Sequence, residues 1–427
     1  FVENQNLKGT IFQDDQGQFE DIDYLIIARQ DMVNQAERLA EIDRQQYGLS
    51  VRVVTIDKIY NEFSSGNQDI GGIRNFVKYV YDNASSPENR LKYLCLFGDG
   101  SFDYKDRISN NTNIIPSWYT YNSFSLSGSF VSDDYYGMMD PNEGTMLPAD
   151  QLDIAVGRIL ADTPQRAKEL VDKIESYYVP EALGNWRNNV IMIADDVDQS
   201  WESILQGTSN DIANLITQNK PFMNVQKVFS DSYIQESSAG GDRYPAVNKI
   251  IFDAMEVGAL VANYFGHGGE DGLARERIWD KINVQEVDNE CRLNCFVTVT
   301  CEYTKFDNPQ RETAGEFVYW NKNGGAVSLI TTTRQIFVSV GVAFNVVLEE
   351  YLFAFGNNEQ ISIAEALRRT KNDPSLATNP QKPLVFFIGD PAMKLAFAKP
   401  DIRLTQINNV PVEQQTDVLE ALSRATI

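Results

Sequence analysis

The sequence predicts an α/β protein built on a largely parallel sheet, and three observations predict it. Short runs of β-branched and aromatic residues alternate with longer stretches of helical periodicity. Two of those runs, 259–265 and 295–300, are apolar or β-branched almost throughout, as strands covered on both faces are. With 427 residues, 43% of them hydrophobic and only 23% charged, the chain has the material for two to three packed units.

In chain order, strands are expected at Tyr24–Ala28, Val51–Ile56, Tyr93–Phe97, Leu152–Gly157, Val190–Ala194, Val225–Phe229, Leu260–Phe265, Cys295–Thr300 and Ala326–Thr331. Helices are expected at Asp31–Gln46, Gly72–Asn83, Pro164–Tyr178, Ser203–Gln218, Tyr244–Met255, Val342–Tyr351 and Ile363–Thr370. In the second of these, Ile73, Phe76, Val77 and Val80 recur at the spacing of one helical face. The polar stretch between Tyr177 and Asn189, with Pro180 and Gly184, marks a boundary. The expected organisation is an extension over 1–20, α/β subdomains over 21–185 and 186–400, and the start of an all-β module over 401–427. The chain opens with Phe1, which suggests a piece of a longer protein.

Charge and composition narrow the function. Sixty acidic against 37 basic residues give a net charge of −23, a field that repels phosphate backbones and anionic lipid headgroups. Nucleic-acid binding is therefore not expected, and no apolar run is long enough for a membrane-spanning helix. A single histidine means that imidazole chemistry runs through His267. One His and four scattered Cys (Cys95, Cys291, Cys295, Cys301) make a poor zinc set and no disulfide framework. Cys95 reads as core packing, and Cys291 and Cys295 carry no motif.

Two blocks carry chemistry. The first apolar run stops at Gly266-His267-Gly268-Gly269, and functional residues in open α/β sheets gather at the carboxyl ends of strands. Flanking glycines would let the backbone approach a substrate and present an N–H group to an oxyanion. The second run ends at Cys301, followed by Glu302 and Tyr303. Neighbouring strands would bring His267 and Cys301 together, where an imidazole can take the thiol proton. Such an activated Cys301 should react with iodoacetamide well below the pH at which a free thiol does. The bland alternative is a structural histidine beside a buried cysteine. Asp153, at the edge of a strand, is the candidate to orient the imidazole; pairing with Arg158 or capping a backbone turn are the competing roles. Acidic loops at Asp99/Asp103, Asp133/Asp134/Asp140 and Asp195/Asp196/Asp198 offer oxygen ligands of the kind calcium takes, without EF-hand spacing.

An apolar block ending in His-Gly, then one ending in Thr-Cys, resembles the caspase-like clan of cysteine peptidases, and within it the gingipain family. Supporting blocks are Phe63-Ser-Ser-Gly66, Ile73-Arg74, Leu96-Phe-Gly-Asp-Gly100, Ser132-Asp-Asp-Tyr-Tyr136, Val156-Gly-Arg158, Phe306-Asp307 and Gly389-Asp-Pro391. The resemblance implies a caspase/gingipain-like endopeptidase with Cys301 as nucleophile and His267 as general base and acid. It further implies Gly268 and Cys301 main-chain N–H groups as the oxyanion hole, Asp153 as support for the histidine, and structural calcium. The tail Ile402–Pro411 and Thr416–Ser423 is similar to the continuation found in family members that are signal peptidases of the type IX secretion system. That likeness implies removal of C-terminal sorting domains from cargo proteins, transfer of the new C-terminus to a lipopolysaccharide, outer-membrane secretion partners and a Gram-negative cell surface. No acid is placed to hold a basic substrate side chain, since Asp162 is followed by Thr163-Pro164, so Arg or Lys specificity is not expected. A general secreted protease and an idle surface scaffold stay open as alternatives.

Overall fold

The computed structural model describes residues 12–13, 16–122, 124–125, 128–357, 359–398, 404–414, 424 and 426. Ten strands form one sheet: β1 (Tyr24–Ala28), β2 (Val51–Thr55), β3 (Tyr93–Phe97), β4 (Ala155–Ile159), β5 (Asn189–Ala194), β6 (Asn224–Phe229), β7 (Val261–Phe265), β8 (Asn294–Thr298), β9 (Ala326–Thr332) and β10 (Val385–Ile388). Their order is β2-β1-β3-β4-β10-β9-β8-β7-β5-β6. Every neighbouring pair is parallel except β9 and β10. The sheet is thus two five-stranded parallel halves running in opposite directions and joined at that one antiparallel seam.

Nine of the ten strands were expected, most within one or two residues, because strands buried on both faces are short apolar runs whose ends are set by turn residues. β4 lies three residues later at its start than expected, since Leu152 to Ile154 form the loop that leads into it. β10 is the unexpected strand. It belongs by sequence to residues 186–400 yet pairs with β4 of the first half, so one continuous sheet spans both expected subdomains.

The helices are α1 (Val33–Tyr47), α2 (Ile56–Phe63), α3 (Ile70–Asp82), α4 (Pro164–Ser176), α5 (Ser203–Asn219), α6 (Pro245–Val257), α7 (Lys281–Glu286), α8 (Ala314–Trp320), α9 (Val338–Leu352) and α10 (Ile363–Asn372). Local chemistry starts several of them. Thr163 caps α4 through the Arg166 N–H with Pro164 in the first turn, Asp69 caps α3, and Ser362 caps α10. Helix α1 buries Ala36, Leu39, Ala40 and Asp43, and ends at Gly48, whose φ of 67° suits a residue without a Cβ. Helices α1, α4 and α8 pack side by side in one layer, and α10, α9 and α5 in another. Among the described residues no helix is long and apolar enough to cross a membrane.

Several of the family-like blocks turn out to be buried charge networks. Arg158, wholly buried, donates to both oxygens of Asp133 at 2.7 and 2.8 Å, to the Gly98 and Ile115 carbonyls, and to Ser117. Lys371 donates to Asp134. Asp390 accepts from the Tyr24 hydroxyl at 2.9 Å. Of the tail, residues 404–414 hold a short hairpin, Gln406–Ile407 with Val410–Pro411. Residues 401–403 and 415–423 lie outside the described residues, as do 1–11.

Candidate active site

His267 and Cys301 leave adjacent strands at the same height. β7 and β8 pair in parallel with Tyr264 opposite Thr298, and each of the two residues lies three positions beyond that pair. Both line one pocket of ≈ 90 Å³. The loops that carry them are tied together by the Thr300 hydroxyl, which donates to the Gly266 carbonyl at 2.6 Å, while Thr332 Oγ1 donates to the Thr300 carbonyl. Beyond the cysteine, Asp307 receives a two-pronged bond from Arg334, at 2.8 and 2.6 Å. A site on two strand ends, braced by side-chain bonds, holds its geometry better than one on free loops.

His267 is held from three sides. Its Nε2 lies 2.9 Å from Glu202 Oε1, its main-chain N–H donates to Asp195 Oδ2 at 2.7 Å, and its carbonyl accepts from Tyr264 and from the Ala274 N–H. Glu202 is almost fully buried, and its second oxygen accepts the Gln199 N–H at 2.6 Å. Desolvation alone would raise this carboxyl, but the bonds from His267 and the backbone outweigh it and hold the pKa below the ordinary value. An ionised carboxylate only accepts, so Nε2 carries the hydrogen and Nδ1 is left as the acceptor.

Cys301 is half-exposed, with Sγ 4.0 Å from the Ile336 carbonyl. Burial pushes its thiol above the usual value, the Ile336 backbone opposes that in part, and Glu302 adds to the rise. That environment favours the neutral thiol over the thiolate at rest. Cys95 and Cys295 are fully buried in β3 and β8, as packing residues are, and Cys291 is half-exposed.

Glycines around His267 serve packing more than access. A Cβ on Gly266 would sit 2.4 Å from the Asp195 Cβ, and one on Gly268 would sit 2.7 Å from Thr300, whereas Gly269 faces open space. Since Ala274 N–H bonds the His267 carbonyl, the next pair along the hairpin, Gly268 and Leu273, is the non-bonded one, and the Gly268 N–H points away from its partner strand. The Cys301 N–H has no hydrogen-bond partner among the described residues.

Asp153 does not reach the histidine. It precedes β4, four strand spacings from β7, or ~19 Å at ~4.8 Å per spacing. Its carboxylate instead accepts from the Met139 N–H at 2.7 Å and the Tyr81 hydroxyl at 3.3 Å, and it does not pair with Arg158. The acid on His267 is Glu202, in the loop after β5, the strand on the other side of β7. A readable signal existed: Gln199 and Glu202 form a capping box ahead of α5. Asp162 follows the carboxyl end of β4, which points to the opposite edge of the sheet from that of β8, and pairs with Arg166.

Against known proteins, the sequence pattern of peptidase family C25 matches residues 18–396. The chain belongs to peptidase family C25. Comparison with curated proteins gave no match. Among solved structures, the Arg-specific cysteine proteinase gingipain R (RGPB) is similar with a TM-score of 0.67 at 18% identity, covering 88% of this chain and 79% of that one. A complex of Porphyromonas gingivalis RgpB pro- and mature domains has the same score and identity over 88% and 80%. Dimeric latent PorU from Porphyromonas gingivalis has a TM-score of 0.49 at 18% identity, over 93% of this chain and 32% of that one. This C25 chain accordingly has the caspase-like cysteine-peptidase fold of the gingipains, the fold class expected from its sequence.

The acidic loops separate once placed. Asp133 and Asp134 are spent on Arg158 and Lys371, and Asp103 accepts from the Arg107 and Ile108 N–H groups. Asp195, Asp196 and Glu276 bring one carboxylate oxygen each to within 4.8 Å of one another, all three buried. Burial, then the neighbouring charges of Asp196 and Glu276, pushes the Asp195 carboxyl to about 7. A hard cation would relieve that repulsion, so in this C25 chain the donor set fits calcium chemistry, supplying part of its six to eight oxygens.

Proposed function

We propose that this chain is a thiol endopeptidase in which Cys301 is the nucleophile, His267 the general base and then acid, and Glu202 the residue that positions the imidazole. The observation that carries this is the register of β7 and β8, which puts His267 and Cys301 on one pocket while Glu202 holds the far ring nitrogen. As Sγ attacks the substrate carbonyl carbon, the thiol proton passes to Nδ1. The main-chain N–H groups of Gly268 and Cys301 are the donors available to the tetrahedral oxyanion, and losing one such donor typically costs ~10²–10³ in rate. The C–N bond then breaks, and the imidazolium gives its proton to the leaving amine. Water, deprotonated by His267, attacks the thioester, the C–S bond breaks to release an acid, and the imidazolium returns its proton to the Cys301 sulfur; an amine attacking in its place forms a new amide.

The substrates proposed are cargo proteins of the type IX secretion system that carry C-terminal sorting domains. Support for this finer reading is the tail at 402–423, similar to that of the family's signal peptidases. On the same reading, a lipopolysaccharide amine is the acceptor, outer-membrane secretion components are partners, and the enzyme works at a Gram-negative cell surface. Asp195, Asp196 and Glu276 would hold calcium, whose charge would steady the loop that the Asp195 carboxylate ties to the His267 N–H.

The test incubates a cargo protein that retains its sorting domain with the protein or with its Cys301→Ala variant, and reads intact masses. Loss of the domain with the unaltered protein alone supports the reading, and added mass on the new C-terminus shows transfer. Cleavage of Arg or Lys peptides with the cargo left whole would replace it with general proteolysis, and no cleavage of either would leave a scaffold.

A further inference from the structure

Beside Cys301 and His267, the pocket is walled by Leu205, Phe265, Val299, Ile336 and Gly341, with Phe337 at its mouth. Apart from His267, no residue lining it has an ionisable side chain other than the Cys301 thiol. Of the carboxylates beside the site, Glu202 is already committed to His267 and Gln199, and Glu302, next to Cys301, is paired with Lys305. Size is limited as well. At ≈ 90 Å³ the space is far below the ~300–1,000 Å³ of pockets for drug-sized ligands and is on the scale of a short side chain. The floor is fixed by a close approach: a Cβ on Gly341 would lie 2.7 Å from Phe265 Cε2, so α9 rests its backbone directly on that ring.

We propose that this pocket receives the side chain of the residue whose carbonyl Cys301 attacks, and that it selects a short, uncharged one of the size of alanine, valine or threonine against arginine and lysine. The inference rests on Cys301 being the nucleophile. A guanidinium or ammonium group entering these walls would lose its water and find no counter-charge. A branched aliphatic group would exchange water for Leu205, Phe265 and Val299, which are buried in any case. Phe265 and Gly341 together set the depth, and Ile336 and Phe337 supply the apolar rim.

The experiment measures labelling of Cys301 by peptidyl acyloxymethyl ketones that differ only in the residue before the reactive group: Gly, Ala, Val, Lys or Arg. Intact mass is read over time, with Cys301→Ala as blank and iodoacetamide as a probe that makes no use of the pocket. The expected result is labelling by the Val and Ala probes roughly 10²-fold faster than by the Arg probe. Phe337→Ala, at a side chain 62% exposed and so removable without unfolding the protein, should slow the Val probe more than the Gly probe. Arg or Lys probes that react as fast as Val would overturn the pocket and leave Cys301 as nucleophile. If no ketone labels Cys301 while iodoacetamide does, the peptidase reading falls and takes the pocket with it.

Discussion

Glu202 meets His267 through Oε1 at 2.9 Å from Nε2, with its other oxygen fixed by the Gln199 N–H. That contact decides which ring nitrogen faces the thiol as a base. In Glu202→Gln the amide can donate to Nε2 and stabilise the other tautomer, leaving a hydrogen on Nδ1 where an acceptor is needed. The expected outcome is a fall in kcat of about 10²–10⁴ with KM close to that of the unaltered protein. Asp153→Asn, whose carboxylate supports the Met139 loop, should leave kcat nearly unchanged. Steady-state kinetics on one cleaved substrate compares the two, and an equal loss in both variants would count against Glu202 as the positioning acid.

The neutral thiol at rest makes a second prediction, opposite to the one drawn from the residue pair alone. Desolvation raises the Cys301 pKa, so the thiolate forms only as pH passes the ordinary thiol range near ~8.5. Without substrate, the rate of iodoacetamide alkylation should climb with pH to a midpoint above that of a free thiol measured in parallel. A midpoint well below it would show a resting thiolate–imidazolium pair.

What was legible in the sequence follows from what each feature depends on. β7 and β8 were visible because apolar runs ending in Gly-His-Gly and Thr-Cys are local signals, and their adjacency brings His267 and Cys301 together without further information. β10 was not, being four residues long, preceded by Pro383 and a single 3₁₀ turn, and antiparallel to its neighbour β9. Its insertion beside β4 is a long-range choice that no local pattern encodes. The same holds for Glu202. A cap ahead of α5 is readable, but that the loop after β5 lies against the loop after β7 depends on strand order. Asp153 looked apt because its strand end was taken alone. Across a ten-stranded sheet, that end is several strands from the one that matters.

The Arg158 network predicts where the fold is least tolerant. Asp133 supplies both oxygens to a guanidinium with no exposed surface, and Ser117 donates to the same carboxylate at 2.7 Å. Asp133→Asn keeps the shape but leaves a buried cation without its counter-charge, which should cost about 3–5 kcal/mol. Urea unfolding checks this. A loss below about 1 kcal/mol, the scale of exposed pairs, would mean that the network contributes no more than a surface ion pair.

Glu349, in the last turn of α9, predicts how stability depends on pH. Its Oε1 accepts the Asn263 amide at 2.7 Å, while Oε2 has no partner among the described residues, and burial pushes the carboxyl from 4.5 to about 7. Because the folded value lies above the unfolded one, the native state binds more protons between the two, and stability falls as pH rises through that window. The loss levels off above about pH 7 and amounts to about 3 kcal/mol. Glu349→Gln retains the acceptor for Asn263 and cannot ionise. The variant and the unaltered protein should therefore match near pH 4.5 and diverge with rising pH, the variant being the more stable at pH 8. Other buried carboxyls titrate in the same range, among them Asp99 at about 7 and Glu316 at about 8, so the difference between the two proteins is the quantity to follow. Denaturant unfolding at several pH values measures it, and parallel curves would show that Glu349 does not titrate there.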